Sequence, residues 1–246
     1  MPNIRLTIAY EGTKYAGWQV QKNAKTIQGE IEKALRKVLG ENVRLVGSGR
    51  TDSGVHAKAQ IANFKTGKEF PLTNLQNALN ANLPDEISIT KIKKTYPKFH
   101  SQYAAKGKIY RYTILGGRAH DLFLRRLYWR VPYALDLKSV RKEAKTFVGK
   151  HDFKSFQRKS AHSPIKNTVR TITRLAVKKK GAFVQIEIEA DGFLHNMARN
   201  IVGTLVEIGR GYLPEGSAKA ILRARDRRKA GPTAPAKGLI LLKVKY

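Results

Sequence analysis

Gly47-Ser48-Gly49-Arg50-Thr51-Asp52-Ser53-Gly54-Val55-His56-Ala57 is the stretch around which the chain is organised. The apolar run 43–46, broken by Arg44, reads as a strand leading in, and the run 59–64 reads as a strand leading out. Between them, glycines at 47, 49 and 54 permit positive φ and close approach of another backbone. Such a loop holds Asp52 at a fixed place on a rigid rim and leaves its own amides available to a ligand. The same residues also fit an Asx turn, with Asp52 bonding its own backbone.

Working outward, residues 4–10 alternate at period two and read as a strand. The loop 11–21 carries two glycines, Tyr15, Trp18, Gln19 and Gln21; it suits contact with a flat ligand, or burial of Trp18 in the core. Thr26 is placed to cap a helix over 27–39 that Gly40 stops, with Ile27, Ile31, Ala34, Leu35 and Val38 as its apolar stripe. Beyond the Asp loop, Pro71 or Thr73 opens a second helix through Leu75, Leu79 and Leu83, closed by Pro84. A strand over 87–92 follows, with Lys91, Lys93 and Lys94 as a basic rim. The order is β-α-β-β-α-β.

The second half repeats it. Strands are expected at 109–114 and 127–131, then a helix over 137–148 closed by Gly149, with Val140, Ala144, Phe147 and Val148 inward. Strands 169–177 and 183–188 pair across 178–181; a helix over 194–208 and a strand over 239–244 complete the set. The predicted class is α+β: two ferredoxin-like units, their antiparallel sheets joined into one central sheet, helices on one side and an active cleft between the units. Residues 1–105 carry the Asp loop; residues 106–246 carry Tyr110, Arg199 and a polar insert over 151–167. That insert sets Lys154, Arg158, Lys159, His162 and Lys166 beside Phe153 and Phe156. It fits a nucleic-acid flap, or a surface loop anchored by two rings. A basic run over 223–229 precedes a stiff Pro/Gly loop over 231–238.

Composition points to a polyanion. The formal net charge is +30, from 48 Lys and Arg against 18 Asp and Glu, and the excess runs the whole length of the chain. A charge of that size repels itself unless a polyanion lies against it; nucleic acid is the natural partner, a membrane surface the second. There is no cysteine, which excludes disulfides, thiolate nucleophiles and cysteine-ligated metal centres. The 6 histidines show no ligand spacing, so no metal is expected. Neither a signal segment nor a membrane span is read, and a cytoplasmic location is expected.

Asp52 alone fits a nucleophile, a general base or a turn cap. Its expected cationic partner is Arg199, because Gly192-Phe193-Leu194-His195-Asn196-Met197-Ala198-Arg199-Asn200 places polar groups on the first turns of an apolar helix. His195 and Arg199 are four apart, and His195 is expected as a hydrogen-bonding core residue. An arginine beside a core demands an anion, although a surface position also fits. An Asp–Arg pair keeps the carboxylate ionised and oriented, competent to attack carbon. Tyr110 and Tyr112 share one strand face, where a ring can stack on a base or relay a proton. A single strong carboxylate argues against two-metal hydrolysis and against a paired-carboxylate glycosidase.

Four segments together resemble the tRNA pseudouridine synthase A family: Tyr10-Glu11-Gly12 with Gly17-Trp18-Gln19; residues 49–57; Lys108-Ile109-Tyr110-Arg111-Tyr112; and residues 192–203. The resemblance spans essentially the whole chain. It implies isomerisation of uridine to pseudouridine in the tRNA anticodon stem-loop by a homodimer, with no cofactor and no metal. By the same resemblance Asp52 is the nucleophile, Arg50 holds the target nucleotide out of the stack, Tyr110 packs on the base, and Arg199 pairs with Asp52. Gly49, Thr51, His56, Tyr112, Leu239, Lys154 and Arg158 are the expected substrate contacts. Two departures stand out: Ser53 replaces the usual Ala, placing a hydroxyl beside the nucleophile, and Ser101-Gln102-Tyr103 replaces Ala-Arg-Phe. The competing readings are a non-catalytic RNA-binding or chaperone protein, and a hydrolase that releases the detached base.

Overall fold

Alternation in β1 (Asn3–Tyr10) buries Ile4, Leu6, Ile8 and Tyr10 on one face. In the computed structural model, which describes residues 1–117, 120–158 and 167–246, this strand is central to the first of two units. That unit comprises Met1–Lys106 with Ile240–Tyr246; the second comprises Gly107–Leu239.

In the first unit α1 (Ile27–Leu39) starts where expected: the Thr26 side chain accepts from the Gly29 amide, and Gly40, at φ 67°, returns its N–H to the Arg36 carbonyl. The expected strand at 43–46 shrinks to β2 (Val46–Gly47). Side chains of α1 explain the difference. Glu32 accepts the Leu45 N–H at 2.9 Å and Gln28 donates to the Leu45 carbonyl at 3.1 Å, so this backbone needs no strand partner. β3 (His56–Lys65) begins inside the motif, earlier than the alternation suggested. α2 (Leu72–Asn82) buries Leu75 and Leu79, and β4 (Ile87–Thr95) extends past 92 to take in the three lysines. β1 lies antiparallel between β4 and β3, so Lys91, Lys93 and Lys94 stand exposed on an edge strand, where charge also blocks further pairing.

In the second unit β5 (Gly107–Gly116) pairs with β6 (Trp129–Val131) in parallel. α3 (Leu137–Thr146) is capped by Asp136, whose carboxylate accepts from Lys138 and Ser139. β7 (Gly149–Asp152), β8 (Val169–Lys180) and β9 (Phe183–Ala190) follow, giving the sheet order β5-β9-β8-β7. The β8–β9 turn is tighter than expected: Lys180 faces Phe183 and Gly181, at φ 57°, turns the chain, so Lys178, Lys179 and Lys180 lie on the strand. Val148 is exposed, a correction to its inward assignment, because the helix ends at Thr146 and Gly149, at φ 110°, redirects the chain into β7. α4 (Met197–Gly209) is buried almost all round. α5 (Ser217–Ala224) was not foreseen; the buried Glu143 caps it by accepting from the Gly216 and Ala218 amides at 2.8 and 2.9 Å. The order of elements places the closing strand β10 (Leu239–Lys245) in the second half. From Ile240 onward it belongs to the first unit, where it runs parallel to β3 with Ile240 opposite His56.

Candidate active site

The Asp52 loop is pinned from behind by residues 10–18. The Trp18 amide donates to the Thr51 carbonyl at 3.1 Å, and the Tyr10 hydroxyl meets the Thr51 hydroxyl at 2.8 Å. The Tyr15 carbonyl takes the Ser53 hydroxyl at 3.0 Å and the Gly54 amide at 3.3 Å. His56 is 2% exposed, and its Nδ1 accepts the Gly12 amide at 3.0 Å. Two glycines make this closeness possible. A Cβ on Gly12 would lie 2.0 Å from the Val55 carbonyl oxygen, and one on Gly17, which sits at φ 99°, would lie 2.7 Å from that of Thr51. On the entry side Gln60 donates to the Gly49 carbonyl at 2.9 Å, and the Ser48 amide donates to the Ile61 carbonyl at 2.7 Å. What emerges is a rigid rim with Asp52 half-buried and Arg50 exposed.

Trp18 is a core residue, tilted against Tyr10 with ring centroids 6.1 Å apart, and offers no flat face to a ligand. Thr51 and His56, expected to touch substrate, are buried, as Tyr110 is, and both hydrogen-bond within the segment that holds the loop. The Ser53 hydroxyl is turned to the Tyr15 carbonyl, so this departure from the family pattern adds one more brace.

The second unit carries the other candidates. The Arg199 Nε donates to the Ala234 carbonyl at 2.8 Å, while the Arg199 carbonyl accepts the Ala234 amide at 3.2 Å. A further Arg199 nitrogen donates to the Asn196 side chain at 3.2 Å. The half-buried guanidinium therefore fixes the loop before β10. The Tyr112 hydroxyl donates to the Pro235 carbonyl at 2.7 Å, and a Cβ on Gly238 would lie 2.5 Å from the Tyr112 ring. Tyr112 is thus a buried support, its phenol pushed up by desolvation, and Leu239 is buried just beyond it. Arg227, read as part of a basic run, donates to Asn200 and to Thr233, each at 3.1 Å, and holds the same loop from the other side.

Gly203→Ala tests how closely α4 and this loop are fitted. The added Cβ would lie 1.7 Å from the Pro232 carbonyl oxygen, so backbone must move. A cost of about 3 kcal/mol is expected, which lowers the Tm of a chain this size by roughly 6–12 °C. Gly116→Ala, where the new atom meets open space, should shift it by no more than about 2 °C.

Tyr110 packs its ring edgewise on Phe193, with centroids 4.9 Å apart. Lys108, two residues earlier on the same face of β5, is half-buried, and desolvation pushes its ammonium below the usual lysine range. The sequence reading missed it as a candidate, although period-two spacing from Tyr110 was the signal. His195 is exposed, contrary to its expected core place. Asn196 sits at φ 61° and α4 starts only at Met197, so the four-residue helical relation to Arg199 does not hold. In the insert, Phe153 and Phe156 are fully buried anchors, with Lys154 and Arg158 exposed beside them. Lys159, His162 and Lys166 lie outside the described residues. Among the described residues, no cluster of three or more His, Cys, Asp or Glu is placed to hold a metal, and no helix is long and apolar enough to cross a membrane.

Comparison with known proteins identifies the family. A family model described as tRNA pseudouridine synthase matches residues 6–104 and 144–246. The protein named tRNA pseudouridine synthase A in Thermoanaerobacter sp. (strain X514) is 45% identical over 246 residues, covering 100% of both chains. Its namesake in Moorella thermoacetica is 45% identical over 248 residues, again covering 100% of both. The tRNA pseudouridine synthase A 2 of Clostridium perfringens is 46% identical over 246 residues with the same coverage. With the braced Asp52 loop inside the first matched segment and the Arg199 clasp inside the second, the chain belongs to the tRNA pseudouridine synthase family.

Proposed function

We propose that this protein isomerises uridine to pseudouridine in the anticodon stem-loop of tRNA, with Asp52 as the nucleophile. The observation that carries the reading is a half-buried carboxylate on a loop whose neighbours on both sides are individually hydrogen-bonded in place, in a chain alike from end to end to its relatives. Fixing a carboxylate this way favours attack on a carbon held close to it.

The reaction balances without a co-reactant. The C1′–N1 bond breaks, the uracil turns, a C1′–C5 bond forms, C5 loses its proton and N1 gains one. The Asp52 carboxylate forms a transient bond to the flipped nucleotide, at C6 of the base or C1′ of the sugar, and is regenerated. Extrusion leaves a gap in the helix, and the exposed Arg50 next to the nucleophile is suited to occupy it. Tyr110, held edgewise by Phe193, supplies a ring against the base. Arg199 fixes the loop ahead of Leu239. Homodimeric assembly and a cytoplasmic location belong to the same reading.

Incubation with unmodified tRNA, followed by nucleoside analysis, tests it. Pseudouridine in the anticodon stem-loop and no free uracil is the expected result. Free uracil would indicate a hydrolase, and bound but unaltered tRNA would indicate a binding module. Binding should also respond steeply to salt, because counterions released from RNA drive a chain of net charge +30 onto it. Affinity is expected to fall at least about a hundredfold between roughly 50 and 200 mM KCl, and a flat titration series would remove the electrostatic argument.

A further inference from the structure

The segment 96–106, between β4 and β5, carries a feature that the chemistry above does not use. The His100 and Tyr103 rings stack with centroids 4.1 Å apart and planes 21° from parallel. Tyr103 is 81% exposed, so its outer face is open. The segment is held firmly. Asn63 accepts both the Ser101 amide, at 2.8 Å, and the Ser101 hydroxyl, at 2.7 Å, while Asn3 donates to the Phe99 carbonyl at 2.9 Å. Phe99 is buried beneath it against Tyr246, with centroids 5.2 Å apart. His100 Nδ1 accepts the Gln102 and Tyr103 amides, each at 3.3 Å, which leaves the ring hydrogen on Nε2.

Beside the stack lies a hollow of about 370 Å³. Arg44, Lys65, Lys98 and His100 line it, and among the described residues no carboxylate does. An open ring on a rigid support, next to cations with no acid among them, is the combination that engages an unpaired nucleotide: the base stacks and the phosphate is neutralised. Val43, Val46, Pro97 and Phe99 give the hollow apolar walls as well; its charged groups are all cationic, and in a chain of net charge +30 that favours a polyanion over a protein.

We propose that this face is an RNA subsite: an unpaired nucleobase of the tRNA stacks on Tyr103 while a neighbouring phosphate lies against Arg44, Lys65 and Lys98. The proposal rests on tRNA being the substrate, so wild-type pseudouridine formation is measured in the same series to separate the two claims. Tyr103→Ala is expected to weaken tRNA binding roughly 5- to 150-fold, the ordinary loss for one stacked base. Its single-turnover rate at saturating tRNA and its melting curve should be unchanged, and Tyr103→Phe should bind like wild type. Lys98→Ala and Arg44→Ala should each reduce the slope of log affinity against log salt by about one. Affinity for Tyr103→Ala within twofold of wild type, with the salt slopes unmoved, would overturn the proposal. So would a loss of self-association in Tyr103→Ala with intact RNA affinity, which would make the face a protein interface.

Discussion

Asp52→Asn is expected to fold, to bind tRNA nearly as tightly as the native chain, and to form pseudouridine on the order of 10⁴-fold more slowly or not at all. Folding should survive because the loop is held by its neighbours: the Thr51 carbonyl and hydroxyl, the Ser53 hydroxyl, and the Gly54 and Gly12 amides. The Val55 amide closes the turn on the Asp52 backbone carbonyl, which an asparagine also has. Affinity should survive because it comes chiefly from a basic surface, and removal of one negative charge does not oppose a polyanion. Chemistry should fail because a neutral amide lacks the anionic oxygen that attacks carbon. Asp52→Glu should fail too, since a displacement of about 1 Å can cost roughly a hundredfold. Were Asp52 only a turn cap, asparagine would serve equally well. Single-turnover rates, filter binding and a melting curve on one preparation decide it, with mass spectrometry to exclude deamidation back to aspartate.

Arg199→Ala carries the second large effect, a loss of roughly a hundredfold or more in single-turnover rate with little change in affinity. The guanidinium reaches the Ala234 carbonyl at 2.8 Å and the Asn196 side chain at 3.2 Å, so its removal frees the loop that leads into Leu239. Arg199→Lys should recover only part of the rate. A lysine presents one point of charge where the planar guanidinium serves two acceptors in different directions. Equal losses of rate and affinity in the alanine variant would place Arg199 on the RNA backbone instead.

Which features could be read from the sequence depends on where their information resides. The Thr26 cap, the Gly40 stop and the alternation of β1 are local, and each appears in the structure as the residues dictate. The strand expected at 43–46 was lost because its backbone is satisfied by Glu32 and Gln28, whose reach across to Leu45 no local pattern encodes. β7, Gly149-Lys150-His151-Asp152, is short and polar, and only its pairing with β8 makes it a strand. The place of β10 beside β3 is likewise a long-range fact.

At the candidate site, the residue types were legible and their division of labour was not. Asp52 and Arg50 stand on the accessible rim as the motif suggested. Thr51, His56 and Tyr112 carry groups equally suited to touching a ligand or to bracing a loop; Tyr10, Gly12 and Pro235, with which they hydrogen-bond, are distant in sequence. Phe153 and Phe156 posed the same ambiguity, resolved by burial. Lys108 was passed over because a lysine within a strand reads as solvated until its desolvation is seen.

Covalent attachment of Asp52 to the target nucleotide can be observed by trapping the bond. A tRNA carrying 5-fluorouridine at the target site blocks the final loss of a proton from C5, so an intermediate should persist long enough to be isolated under denaturing conditions. Peptide mapping of the native chain is predicted to place the added nucleotide mass, or an oxygen isotope taken up on hydrolysis in labelled water, on Asp52, with neither signal in Asp52→Asn. A covalent adduct mapped to any other residue, or pseudouridine formed at the native rate by a correctly folded Asp52→Asn chain, would show that Asp52 is not the nucleophile.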